Sequence, residues 1–144
     1  MISTRTGAEI ILNAQYIKDL SFENPKAPMV YTKQGINPDI NVSIDINATK
    51  LQDNVFEIEL IVTAKAKEET IFILEITHDG IFRITNITEQ LLEETIFVDC
   101  PYLLFPFTRN IIANVTRDAN FQSLLLEAID FETLYKNRKQ VDNK

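Results

Sequence analysis

Between residues 40 and 64 the chain repeats with a period of two, a pattern that fits a strand and no helix. Ile40, Val42, Ile44 and Ile46 alternate with Asn41, Ser43, Asp45 and Asn47, as in a strand with one buried and one wet face. After a turn at Leu51-Gln52-Asp53-Asn54, a second strand sets Phe56, Ile58, Leu60, Val62 and Ala64 opposite Glu57, Glu59, Thr63 and Lys65. A turn at Lys67-Glu68-Glu69 leads to a third. There Phe72, Leu74, Ile76 and His78 face one way, and Ile71, Ile73, Glu75 and Thr77 the other. Asp79-Gly80 reads as a turn or bulge, with residues 81–87 continuing the strand. Connections this short join antiparallel neighbours. Upstream, residues 10–22 alternate less cleanly and make a first strand, closed by Pro25 and Pro28. Residues 29–39, punctuated by Gly35 and Pro38, have little periodicity and read as a long crossing loop.

From Thr88 the spacing turns helical. Thr88 is placed to cap a short helix, with Glu89 in its first turn and Leu91, Leu92 and Ile96 inward. Residues 99–109 (DCPYLLFPFTR) are the densest apolar stretch of the chain. Pro101 suits a first helical turn, with Asp99 or Cys100 at the cap. In a continuous helix Pro106 would forfeit the bond to the Tyr102 carbonyl, at roughly 3 kcal/mol. A kink, or a helix regular only near Pro106, is therefore expected. Phe107, Ile111 and Val115, with Phe105 and Ile112 beside them, form a wide stripe that needs a sheet or a second subunit to cover it. Arg117-Asp118-Ala119-Asn120 ends this helix, and residues 121–129 form an apolar connector. Asp130 caps a last helix, with Glu132 at its start and Lys136, Arg138 and Lys139 at its end, as the helix dipole favours. Strands followed by helices indicate an α+β fold with helices on one face of an antiparallel sheet. The 144 residues form one domain on this reading: 1–9 a flexible N-terminus, 10–139 the domain, 140–144 a short basic tail.

A net charge of −7 disfavours a nucleic-acid partner and suits a basic protein one. The single cysteine, Cys100, allows no internal disulfide. The first residues lack a signal-peptide core and no apolar run is long enough to span a bilayer, so a soluble, cytoplasmic protein without membrane insertion is expected. Chemistry is scarce. His78 is the sole histidine, which excludes a histidine-pair metal site, and beside Ile76 it reads as a packed or interface residue. Cys100 lacks the electropositive neighbours that a nucleophilic thiolate needs. Gly7, Gly35 and Gly80 are the only glycines, too few for a phosphate-binding loop. Glu68-Glu69 and Glu93-Glu94 mark solvated turns or helix faces. No catalytic residue, metal or cofactor is expected, and the chain reads as a non-enzyme. The surplus is apolar: Ile61, Ile71 and Ile73 on the strands, and Tyr102, Phe105, Phe107, Phe121, Phe131 and Tyr135 in the helical part. Part of it can serve an oligomer interface and part a groove for extended apolar chain segments.

Two stretches carry a resemblance. Residues 18–28 (KDLSFENPKAP) are similar to the KDxSFExPxAP signature of the SecB family, the bacterial protein-export chaperones, and residues 100–109 (CPYLLFPFTR) resemble that family's CPxxLFPxxR. Residues 69–82 and 129–135 fall in matching order, so the likeness covers roughly residues 10–139. It implies a four-stranded antiparallel sheet with helices packed on one face, assembled as a dimer of dimers. It also implies a cytosolic chaperone that holds unfolded preproteins and delivers them to the SecA motor, without cofactor or reaction. SecA would meet Asp19, Glu23, Ile73 and Glu75. Clients would meet Ile40, Val42, Ile44, Leu134 and Tyr135, and Leu74, Ile76 and His78 are expected at the oligomer interface. The alternation independently places Ile73 and Glu75 together. Three departures stand out. Gly35-Ile36 replaces a tryptophan common in the family's crossing loop, the GGFPxLxLxPI pattern is reduced to residues 118–129 (DANFQSLLLEAI), and the tail is basic where an acidic one would reach SecA. The alternatives are a SecB-like chaperone dedicated to another client, such as an antitoxin, and a small apolar-ligand binder.

Overall fold

Each alternating stretch forms a strand. The structure is a computed structural model that describes residues 2–3, 7–33, 39–66 and 71–142. Strands β1 (Ile2–Ser3), β2 (Glu9–Glu23), β3 (Ile40–Gln52), β4 (Val55–Ala66) and β5 (Ile73–Thr85) form one antiparallel sheet in the order β1-β2-β5-β4-β3. Four of these are long. The two-residue β1 pairs Ile2 with Ile10 and Ser3 with Glu9, inside the segment that the sequence reading leaves flexible. Gly7, at φ +81°, permits the reversal that brings the chain back onto the open edge of β2. The turns at Gln52-Asp53-Asn54-Val55 and the alternation on β3, β4 and β5 follow the sequence reading, with Asn54 in the left-handed conformation. The expected turn at residues 67–69 and the crossing-loop residues Gly35, Ile36 and Pro38 lie outside the described residues.

The even-numbered residues of β4 and β5 form the floor of the core, where Ile58, Leu60, Val62, Leu74, Ile76 and Phe82 are fully buried. Asp79-Gly80 neither turns nor bulges, because β5 runs straight through it. The irregularities lie across the ladder on β2, whose register slips between Leu12 and Ala14 and again between Ile17 and Asp19. Two bulges in one strand explain its untidy alternation. Gly80 answers to packing. A β-carbon there would lie 2.6 Å from a Phe82 ring carbon and 2.9 Å from Leu104 Cδ2, so the missing side chain lets a helix approach the sheet.

That helix is α2 (Cys100–Asp118), preceded by α1 (Glu89–Glu94) and a π-helical turn (Thr95–Asp99), and followed by α3 (Phe131–Asp142). α2 packs mainly on β5 and β4. Thr88 occupies the cap position of α1 without a side-chain cap bond. Asp99 has helical dihedrals (φ −72°, ψ −40°), so neither it nor Cys100 caps a new helix; the chain is already helical on arrival. Helix α2 also continues through Pro106 rather than beginning there. Pro106 is exposed, and water can reach the carbonyl it leaves unbonded. At the far end Asn120, at φ +64°, supplies the left-handed residue that glycine usually provides, and Phe121 N–H bonds the Thr116 carbonyl at 3.1 Å. Asp130 does cap α3, its carboxylate accepting from Thr133 N–H at 3.1 Å and from Thr133 Oγ1 at 2.8 Å. α3 extends to Asp142, absorbing residues 140–142 of the supposed tail, because nothing in KQVD interrupts a helix.

Gly80→Ala should lower the unfolding free energy by about 1–3 kcal/mol, the usual cost of overpacking, as read from urea melts. An unchanged midpoint would mean that Phe82 and Leu104 give way freely.

Candidate functional site

β3 is the outermost strand on its side, and α2 stands over the middle of the sheet. The core-facing side chains of β3 are therefore covered by the connector and α3, and that cover is incomplete. A cavity of about 320 Å³ lies among Val30, Tyr31, Ile40, Phe72, Phe121 and Leu124. One of about 440 Å³ follows between Ile40, Val42 and Ile44 on β3 and residues 124–129 of the connector. A third, of about 360 Å³, is lined by Ile44, Ile46, Phe97, Leu134, Tyr135 and Arg138. Ile40 and Leu124 line both the first and second, and Ile44 both the second and third, so the three join into one groove along β3.

Aromatic rings hold the first end. Phe22, Phe72, Phe121 and Tyr31 follow one another with centroids 5.2–5.7 Å apart. The Tyr31 hydroxyl donates to the Ala119 carbonyl and accepts from Asn24 Nδ2 at 2.6 Å, pinning the crossing loop to the end of α2. At the other end Phe97 and Tyr135 stack at 6.1 Å. The Arg138 guanidinium lies 4.5 Å above the Phe97 ring and donates to the Ile46 carbonyl at 2.8 Å. All five expected client residues, Ile40, Val42, Ile44, Leu134 and Tyr135, line this groove. Sequence reasoning missed Tyr31, Phe97 and Arg138, and did not connect Phe72 with it. The shared parity of Phe72 and Leu74 was a usable signal for Phe72. Tyr31 lies in an aperiodic loop that offered none.

Asp19, Glu23, Ile73 and Glu75 come together on the opposite face. Glu23 pairs with Ile73, Ser21 with Glu75 and Asp19 with Thr77. The three carboxylates are exposed and make no ion pair among the described residues. Farther along this face Glu57, Glu59 and Asp79 gather within 4.8 Å of one another, a spacing that could ligate a metal. The Lys18 ammonium, 3.5, 3.6 and 3.8 Å from them, already supplies a cation there. It comes from the second bulge of β2. Tyr16 donates to Glu57, which lowers the Glu57 pKa. Asp79 is fully buried and accepts no hydrogen bond of normal length, and burial followed by the neighbouring Glu57 pushes its pKa up to about 7.

Leu74, Ile76 and His78, expected at an oligomer interface, lie inside the single chain. They are 0, 0 and 2% exposed within a single chain, because α2 covers them. His78 Nδ1 lies 2.6 Å from Thr108 Oγ1, and burial lowers its pKa. Their strand partners Ile17 and Leu20 of β2 are exposed, as are Phe107 of α2 and Tyr102, which packs edge-on against Phe131 of α3. No helix among the described residues is long and apolar enough to cross a membrane.

A family model described as preprotein translocase subunit SecB matches residues 3–142. Relatives named protein-export protein SecB include one from Bradyrhizobium sp. strain BTAi1, 43% identical over 88% of this chain and 80% of its own. Others come from Afipia carboxidovorans, 44% identical over 85% of this chain and 77% of its own, and from Acidiphilium cryptum, 39% identical over 94% and 92%. Among solved structures, the Mycobacterium tuberculosis SecB-like chaperone in complex with a ChAD peptide from the HigA1 antitoxin superposes with a TM-score of 0.70. It is 12% identical over 83% of this chain and 90% of that one, a likeness of fold.

With a folded-state pKa of about 7 against 3.8 unfolded, Asp79 favours the native state fully below its unfolded value and loses that contribution as pH rises through 7. Glu57 has the opposite sign, its contribution being lost only as pH falls below the ordinary carboxylate range. Between pH 5 and pH 9 Glu57 is silent, and His78, whose lowered pKa acts there with the opposite sign to Asp79, is common to parent and variant. Asp79→Asn should gain stability over the parent protein across that range, on the order of 1–3 kcal/mol, in urea melts at the two pH values. Parallel pH profiles would show that Asp79 stays charged.

Proposed function

The chain belongs to the SecB family of protein-export chaperones, and we propose that it holds unfolded preproteins in the groove along β3 and passes them to SecA across the acidic sheet face. The observation that carries this reading is the groove itself, open to solvent, apolar in its middle and aromatic at its ends, beside an edge strand. Burying apolar client surface gains roughly 25 cal/mol per Å², less the cost of ordering the client. Shallow contacts repeated on several subunits then give avidity without sequence specificity. A basic SecA segment would be drawn to Asp19, Glu23 and Glu75, with Ile73 as the apolar contact, and salt would weaken the encounter. The reading places the protein in the cytosol and assigns it no reaction and no cofactor.

Assembly as a dimer of dimers belongs to the same proposal, through exposed Ile17 and Leu20 of β2 and exposed Phe107 of α2 rather than through the buried strand face. The antitoxin peptide is the client of the Mycobacterium protein. Here the intact acidic positions favour export as the destination.

Asp19→Lys combined with Glu75→Lys should weaken SecA binding at least tenfold, in titration calorimetry, while capture of an unfolded preprotein is retained. Unchanged SecA affinity would refute the docking face. In light scattering the parent protein should run as a particle of about four subunits that retains the unfolded preprotein and ignores its folded form, and Ile17→Asp with Phe107→Asp should give smaller particles. A monomer indifferent to both forms would refute the chaperone reading.

A further inference from the structure

The middle of the outer sheet face concentrates negative charge in a way that a sheet does not tolerate by itself. Glu57 and Glu59 are two residues apart on β4 and share that face, and Asp79 of β5 stands directly across the ladder from Glu59. Like charges directly opposite one another destabilise a sheet, and aspartate is a poor strand residue. The three carboxylates nevertheless bring one oxygen each within 4.8 Å of the others. Asp79 is 0% exposed, and neither of its oxygens accepts a hydrogen bond of normal length among the described residues. A buried carboxylate in this condition is costly unless an ion satisfies it.

Lys18 satisfies it incompletely. Its ammonium stands 3.5 Å from Glu57 Oε1, 3.6 Å from Glu59 Oε2 and 3.8 Å from Asp79 Oδ2. Each separation is beyond the roughly 2.7–2.9 Å of a charge-assisted hydrogen bond. The ammonium brings a single charge to three carboxylates, and the Lys18 side chain is half exposed, with solvent to turn into. Tyr16, which pairs with Asp79 across the ladder, donates to Glu57 Oε2 and leaves Oε1 turned to the cation. Fixing one oxygen of a carboxylate while the other faces a cation is how outer groups orient metal ligands.

We propose that Glu57, Glu59 and Asp79 form a binding site for a hard divalent cation, calcium in preference to magnesium, which takes the place of the Lys18 ammonium. All the donors are carboxylate oxygens, which suit such ions. Calcium bonds oxygen at about 2.3–2.6 Å, so one ion spans oxygens up to about 5 Å apart, whereas magnesium needs a tighter and more regular octahedron. Glu57 and Glu59 are partly exposed, which gives the ion a way in and leaves room for water in its shell. The ion ties β4 to β5 at the centre of the sheet and performs no reaction.

Calorimetry on the full-length protein, stripped with a chelator and titrated with calcium chloride or magnesium chloride, tests this. One calcium ion should bind per chain, more tightly than magnesium. Lys18→Gln should tighten calcium binding by about tenfold, because the competing charge is gone. Asp79→Asn should weaken it by about tenfold or more. Urea melts without calcium, in which Asp79→Asn should be no less stable than the parent, separate loss of a ligand from loss of the fold. Terbium, a luminescent substitute for calcium, should emit on tyrosine excitation, be displaced by calcium, and emit less in Tyr16→Phe, because Tyr16 touches Glu57. No binding to Lys18→Gln up to about 10 mM calcium would overturn the site. Equal binding by Asp79→Asn and the parent, or terbium emission unchanged in Tyr16→Phe, would assign the ion to other carboxylates and overturn it as well. Equal affinity in Lys18→Gln and the parent would overturn the exchange with Lys18, and tighter binding of magnesium would overturn the preference for calcium.

Discussion

The seating of α2 on β5 decides most of the architecture. Leu104 comes down on a sheet position that has no side chain, and Thr108, one turn on, meets His78. A helix held this close to the sheet centre cannot cover the margins. Both edges are left outside it, and each is put to different use. On the β2 side Ile17 and Leu20 stay uncovered. On the β3 side the cover comes from a connector and a short helix, with space between.

The outer face of the sheet has a different economy. Its carboxylates divide into a set compensated by Lys18 and a set with no cation of its own among the described residues. The bulge at Lys18, which lies over Glu57, Glu59 and Asp79, sits directly before Asp19 in the chain. The slip acts on the charged end of the face. Tyr16 and Lys18 alternate onto the outer face whether or not the slip follows, and a β2 without it would carry Asp19 and Glu23 to the opposite face, because a single-residue shift exchanges the two faces of a strand.

Much of this was legible in the sequence, because strands β3, β4 and β5 alternate without interruption, and the faces read from that alternation are the faces observed. The groove residues Ile40, Val42 and Ile44 follow from the same parity together with the family likeness. What was hidden was hidden for physical reasons. Bulges leave no composition signal, and residues 13 and 18 look like ordinary strand positions. Asp79-Gly80 carries the letters of a turn, but its glycine answers to a neighbour distant in sequence, Leu104. Leu74, Ile76 and His78 were placed on the right face, yet that face is covered by the chain's own helix, and alternation does not say by what a face is covered. Pro106 suggests a kink or a helix regular only from that point, because its exposure cannot be known from spacing alone. The reduced connector motif lost its glycines, yet Asn120 adopts the left-handed conformation and the helix still ends in the same manner.

The two walls of the groove differ in kind. One is a strand bonded along its length to β4; the other, residues 119–130, has no regular structure and is secured by a few contacts such as the Tyr31 hydroxyl. A stiff wall with a fixed repeat behaves as a ruler, and an irregular wall behaves as a pad. Anything lying between them is measured for spacing on one side and for little more than greasiness on the other. As the proposed client site, that combination would tolerate almost any side chain and disfavour a chain already coiled into helix, whose repeat does not match the ruler's. Selection for the unfolded state would then be a matter of pitch rather than of composition.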